Sequence, residues 1–124
     1  MKHSIQFGDG PADVIVTTVG VASLDGLDSV VVDLLDDPRY LPGMSLLFDY
    51  TRLDWSTLDA GDFVRRVHVP LKEADLTGPA RIAAVSSDER LVEAGVLRDD
   101  EPTWRAFRTV EEACRWLAVA EARS

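Results

Sequence analysis

The sequence predicts an α/β domain: a mixed, mostly parallel five-stranded sheet with helices packed on it. Three observations lead there. Runs rich in β-branched and apolar residues alternate with segments whose apolar residues recur at helical spacing. Gly, Pro and Asp clusters separate these segments. Two strand-like runs open the chain back to back, which sets a hairpin ahead of the alternation. The order is β-β-α-β-α-β-α-β-α, and alternation of this kind favours parallel strands with helical crossovers.

Each element has its own local reason. Ser4 to Phe7 alternates and reads as a strand, and Gly8-Asp9-Gly10-Pro11 reads as a turn. Asp13 to Val19 is β-branched and reads as the returning strand. Ser23 offers a helix N-cap, and Asp25 suits a first turn. Leu24, Leu27, Val30, Val31, Leu34 and Leu35 then fall on one helical face. The local Val30-Val31-Val32 run argues for strand, but the longer helical period outweighs it. Asp36-Asp37-Pro38 and Pro42-Gly43 end that helix.

Met44 to Tyr50 is nearly continuous in apolar residues, as in a strand covered on both faces. Ser56-x-x-Asp59 resembles a capping box with Asp in place of Glu, opening a helix that carries Ala60, Phe63, Val64 and Val67. Pro70 kinks or ends it, and Gly78-Pro79 closes the segment. Arg81 to Val85 is a buried-strand pattern, Ser87 to Ala94 a short helix stopped by Gly95, and Trp104 to Phe107 a last strand. Thr109-x-x-Glu112 is a full capping box, followed by an apolar stripe of Ala113, Trp116, Leu117 and Ala120.

Composition narrows the function. At 124 residues the chain suits one domain, with 46% hydrophobic and 28% charged residues. A net charge of -9 with no basic cluster beyond Arg65-Arg66, His68 and Lys72 argues against nucleic acid and anionic membrane as partners. No apolar run is long enough for a membrane span, and no signal core opens the chain. The single cysteine, Cys114, excludes an intramolecular disulfide; a cytoplasmic location is the expectation.

No catalytic constellation is legible. His3 and His68 are the only histidines and form no ligand-spaced set with Cys114, so neither a metal nor another cofactor is expected. Cys114 falls in a helix beside Glu111 and Glu112, which disfavour a thiolate. There is no Gly-x-Ser-x-Gly elbow, and Gly8-Asp9-Gly10 precedes a strand rather than a phosphate-binding helix. The acidic pairs Asp36-Asp37, Asp88-Glu89 and Asp99-Asp100-Glu101 read as solvated loop charge.

The segment after the best-buried strand is where open α/β sheets bind ligands. It supplies the candidate surface: Asp49, Thr51, Trp55, Ser56, Thr57, Asp59 and Phe63. Two readings of Trp55 stand. It offers an apolar contact to a partner, or it folds onto the core while Ser56 is occupied in capping.

Three stretches, LLDDPRYLPGMSLLFDYTRLD (34–54), RIAAVSSDE (81–89) and WRAFRTVEEACRWL (104–117), together resemble the SpoIIAA-like group related to the STAS domains of anti-sigma-factor antagonists. The resemblance implies a non-enzymatic regulatory or protein-interaction module. Antagonists of that group carry a phosphorylatable Ser in an Asp-Ser-Ser-Gly-like stretch. The matching position here is Thr57-Leu58-Asp59-Ala60, so Leu58 and Asp59 stand where the hydroxyls would be. The group is also similar to CRAL-TRIO-type carriers, which keeps open a small apolar ligand held near Phe63, Val67 and Leu71. A homodimer through a strand edge or helix face is open as well.

Overall fold

A computed structural model describes residues 1–8, 12–41, 44–58, 60–63, 65–66, 81–87 and 104–122. β1 (Lys2–Phe7) and β2 (Val14–Val21) pair antiparallel in continuous register, from Lys2 opposite Val19 to Phe7 opposite Val14. Gly8 ends β1 with φ of 90°, a left-handed conformation that glycine adopts without a Cβ penalty. Its amide donates to the Asp13 carbonyl at 3.1 Å.

β2 then starts a parallel series. β3 (Leu46–Asp54) lies beside β2, β4 (Ile82–Val85) beside β3, and β5 (Trp104–Phe107) beside β4, all parallel. The sheet is therefore mixed, with strands in the order β1-β2-β3-β4-β5. The starts of β2 and β3 are locked together. Asp13 Oδ2 accepts from the Ser45 amide at 2.9 Å, and the Asp13 amide donates to Ser45 Oγ at 3.0 Å.

α1 (Leu24–Asp36) forms where its sequence directs. Ser23 Oγ accepts from the Gly26 amide at 3.0 Å and caps it. Leu27, Val30, Val31 and Leu34 are buried, so the helical period does prevail over the local valine run. Leu24 stays 37% exposed at the first turn. Gly26 has a packing reason: a Cβ there would lie 2.5 Å from Met1 Sδ. After the helix, the Asp37 carboxylate accepts from the Arg39 backbone amide and guanidinium. Those hydrogen bonds hold Asp37 below the usual carboxylate range.

α2 (Ala60–Phe63) is short, and α3 (Val110–Ala122) closes the described chain. Thr109 Oγ1 accepts from the Glu112 amide at 3.2 Å, as the capping box predicts. α1 and α3 serve opposite sides of the sheet. The α1 side buries Val14, Val16, Leu46, Phe48, Tyr50, Leu53 and Trp55 with the helix. The α3 side buries Ala12, Leu47, Ala83 and Val85 with Ala113 and Leu117.

β3 differs from its sequence pattern. The apolar run suggests a strand ending at Tyr50, yet β3 continues to Asp54. The cause is a bulge: Thr17 faces Asp49 but Val19 faces Arg52, so β3 carries one extra residue there. An extra residue flips side-chain parity. Leu46, Phe48 and Tyr50 therefore share a face with Leu53 and Trp55. The expected helix at Ser87–Ala94 and the Pro70 kink lie outside the described residues, apart from Ser87, an exposed bend.

Candidate functional site

β3 is longer than its neighbour. Its pairing with β4 stops at Asp49 opposite Val85, while its pairing with β2 runs on to Asp54 opposite Val21. The overhang, residues 50–54, projects at the carboxyl end of the parallel strands, where α/β sheets present their sites. Thr51, Arg52, Asp54, Ser56 and Thr57 are exposed on it or just beyond it.

This surface is ordered by short-range hydrogen bonds. Asp49 Oδ1 accepts from the Thr51 amide at 3.0 Å and from Thr51 Oγ1 at 2.7 Å. Asp54 Oδ1 accepts from the Ser56 amide at 2.8 Å. That amide, followed by the Ser56 side chain, lowers the pKa of Asp54 below the usual carboxylate range, so Asp54 is anionic at neutral pH. The Leu58 amide closes a turn onto the Trp55 carbonyl at 3.2 Å. Thr57 Oγ1 donates to the Ala22 carbonyl at 2.8 Å, and the Ala22 amide donates to the Asp54 carbonyl at 2.8 Å. The two loops at this end are thereby stitched together.

The expected capping role of Ser56 is corrected by this geometry. α2 begins at Ala60, and Ser56 belongs to a turn set by Asp54. The turn from Trp55 to Leu58 takes up these residues, so Ser56 lies four positions ahead of the first helical residue and cannot cap it. Asp59, the other half of the expected box, lies outside the described residues. Phe63 is the last residue of α2.

Trp55 is 4% exposed and offers no contact surface. Its indole meets Tyr50 edge-on at 5.4 Å between centroids, and Tyr50 stacks on Phe48 at 5.8 Å. Burial raises the Tyr50 hydroxyl far above the usual phenol range, so it stays neutral. Of the seven expected surface residues, the structure brings Asp49, Thr51, Ser56 and Thr57 to one end of the sheet and sends Trp55 inward. Arg52 and Asp54, within the same segment but outside the seven named residues, complete the surface. Their signal was weak, because the bulge that extends β3 is not visible in the pattern.

A second cluster also escaped the sequence. Arg81 Cζ lies 5.0 Å and Arg105 Cζ 5.9 Å from the Trp116 ring centroid, and Phe107 lies 5.6 Å from it. β4–β5 register brings these residues together, since Ala83 faces Arg105. Cys114, on the same helix, is half-buried; burial and then Glu111 push its thiol upward.

At the β3 end the threonine side chains are already engaged. Their hydroxyls are held by a carboxylate or a carbonyl. His3, the histidine among the described residues, sits on β1 with Nε2 at 2.6 Å from Asp33. Among the described residues no three His, Cys, Asp or Glu side chains gather as metal ligands, and no helix is long and apolar enough to cross a membrane. Protein-family models, curated proteins and solved structures give no match to this chain.

Proposed function

We propose that this chain is a non-enzymatic protein-interaction module whose working surface is the β3 overhang and the turn beyond it. The carrying observation is the preordered polar surface of Thr51, Arg52, Asp54, Ser56 and Thr57, projecting past β4. A surface already held by Asp49, Asp54 and the Ala22 carbonyl loses little conformational freedom on binding. The mixed charge of Arg52 between Asp49 and Asp54 favours a polar protein partner over an apolar ligand. In this reading the strand arrangement is that of a STAS-related regulator, following the resemblance of residues 34–54, 81–89 and 104–117. The overhang then takes the place of the antagonists' switch region, with recognition that does not depend on a phosphoserine.

Site-specific photo-cross-linking in the source cells tests the reading. A cross-linker at Arg52 is expected to trap a discrete partner, and one at Ala118 on the exposed side of α3 is not. Asp54→Ala should remove the Arg52 product by loosening the turn. Identical products from both positions, or none from Arg52, would count against this surface. An apolar molecule co-purifying in native mass spectra would favour a carrier instead.

A further inference from the structure

We propose that β1 is the seam of a symmetric homodimer, in which two copies pair their first strands antiparallel and continue one sheet across the dyad. β1 ends the strand order, and among the described residues its outer edge has no strand partner. Two hydrogen bonds fix which backbone groups face that edge. The Gly8 amide donates to the Asp13 carbonyl, and the Val14 amide donates to the Ser45 carbonyl beside β3. Backbone groups point alternately to the two sides of a strand. Val14 faces β3, so Ile15, Thr17 and Val19 face β1, and their partners Gln6, Ser4 and Lys2 face back. His3, Ile5 and Phe7 therefore direct both N–H and C=O outward.

A dyad through Ile5 uses all of these groups. It sets Ile5 against Ile5 and His3 against Phe7 of the second copy, each as a hydrogen-bonded pair. The side chains agree with the backbone. His3, Ile5 and Phe7 all lie on the α1 side: His3 bonds Asp33 of α1, and Ile5 and Phe7 pack half-buried against that core. Across the dyad, Ile5 meets its own copy and His3 meets a phenyl ring.

Charge selects a second copy as the occupant. Asp33, 56% exposed, sits beside His3. Arg39, 62% exposed and ion-paired on one side with Asp37, lies 4.3 Å over the Phe7 ring with its remaining donors outward. Pairing His3 with Phe7 therefore carries Asp33 of each copy toward Arg39 of the other, twice by symmetry. These contacts oppose the general repulsion between two chains of charge -9. Of the devices that blunt natural edges the strand has a single charge, Lys2 at its start, and no proline or bulge.

Charge reversal tests the seam. Sedimentation at low salt should show a concentration-dependent dimer. Asp33→Lys and Arg39→Glu should each weaken it by roughly fivefold or more, since both symmetric contacts turn repulsive. An equimolar mixture of the two variants should restore the dimer, because both contacts then join opposite charges. Circular dichroism of each variant checks that the fold is intact. In the wild type, amide exchange at His3, Ile5 and Phe7 should slow with concentration, while Lys2, Ser4 and Gln6 should not change. A wild type that stays monomeric overturns the proposal. So does a dimer indifferent to both reversals, or one that protects other amides.

Discussion

The two faces of the sheet are packed by different means. Against α1 the sheet presents large side chains, with Phe48, Tyr50 and Trp55 joined ring to ring. On the α3 side the described buried residues are smaller: Ala12, Ala83 and Ala113 cluster with Leu47, Val85 and Leu117, and Ile15, Phe107 and Trp116 are only partly buried at its margin. Large aromatic groups hold α1 through area removed from water, whereas the buried cluster under α3 includes the small Ala113, which has little room for a larger side chain. The first face should be sensitive to lost volume, the second to added volume. The proposed interaction surface hangs from the first, since Tyr50 and Trp55 anchor both ends of the β3 overhang beneath its exposed residues.

Phe48→Ala carries the largest expected effect. Phe48 is 0% exposed at one end of the aromatic series, stacked on Tyr50. The loss of burial plus the cavity should cost about 3–5 kcal/mol, read from chemical denaturation. On the other face the corresponding disturbance is Ala113→Leu, with Ala113 also 0% exposed. Forcing those atoms between α3 and β4 should cost about 1–3 kcal/mol by the same measurement. If Ala113→Leu proved harmless while Phe48→Ala kept its cost, the α3 side would be loosely rather than closely packed.

Helix caps sharpen the contrast at smaller scale. Ser23 caps α1 and Thr109 caps α3, each accepting from an amide three residues on. Ser23→Ala and Thr109→Ala should each cost about 1 kcal/mol globally. Their local consequences should differ. α1 has four buried anchors along its length and should fray only at its start. α3 has Ala113 and Leu117 as its described buried residues, so losing Thr109 should speed amide exchange further along the helix.

The same contrast explains what could be read in the sequence. α1 was legible because a cap, a wide apolar stripe and a proline stop all agree between Ser23 and Pro38. The α3 start was legible from Thr109 and Glu112 alone. β3 was only half legible: residues to Tyr50 form an apolar run, but the bulge breaks the alternation and hides Leu53 and Trp55 as one continued face. For that reason Trp55 stood open between surface and core, and Ser56 looked like a cap. Periodicity detects regular elements, and the candidate site is built from an irregularity. The Arg81, Arg105 and Trp116 grouping depends on register between distant strands, which no local pattern encodes.

The smallest expected effect concerns the thiol on α3. Cys114 is half-buried, and its thiol is pushed up first by desolvation and then by the nearby Glu111 carboxylate. A raised value means less thiolate at any given pH below it, and thiolate is the nucleophile. Alkylation of the folded protein near neutral pH should therefore be slower than that of a free cysteine, and should accelerate only as pH rises through the alkaline range. Urea should return it to the free-thiol rate. Glu111→Gln should raise the folded rate modestly, because it removes the lesser of the two causes. Thr109→Ala offers the discriminating case. If α3 opens as a unit when its cap is lost, Cys114 should react faster in that variant but not in Ser23→Ala. Equal rates in the two variants would mean that α3 is held along its whole length, and the contrast between the faces would reduce to side-chain size alone.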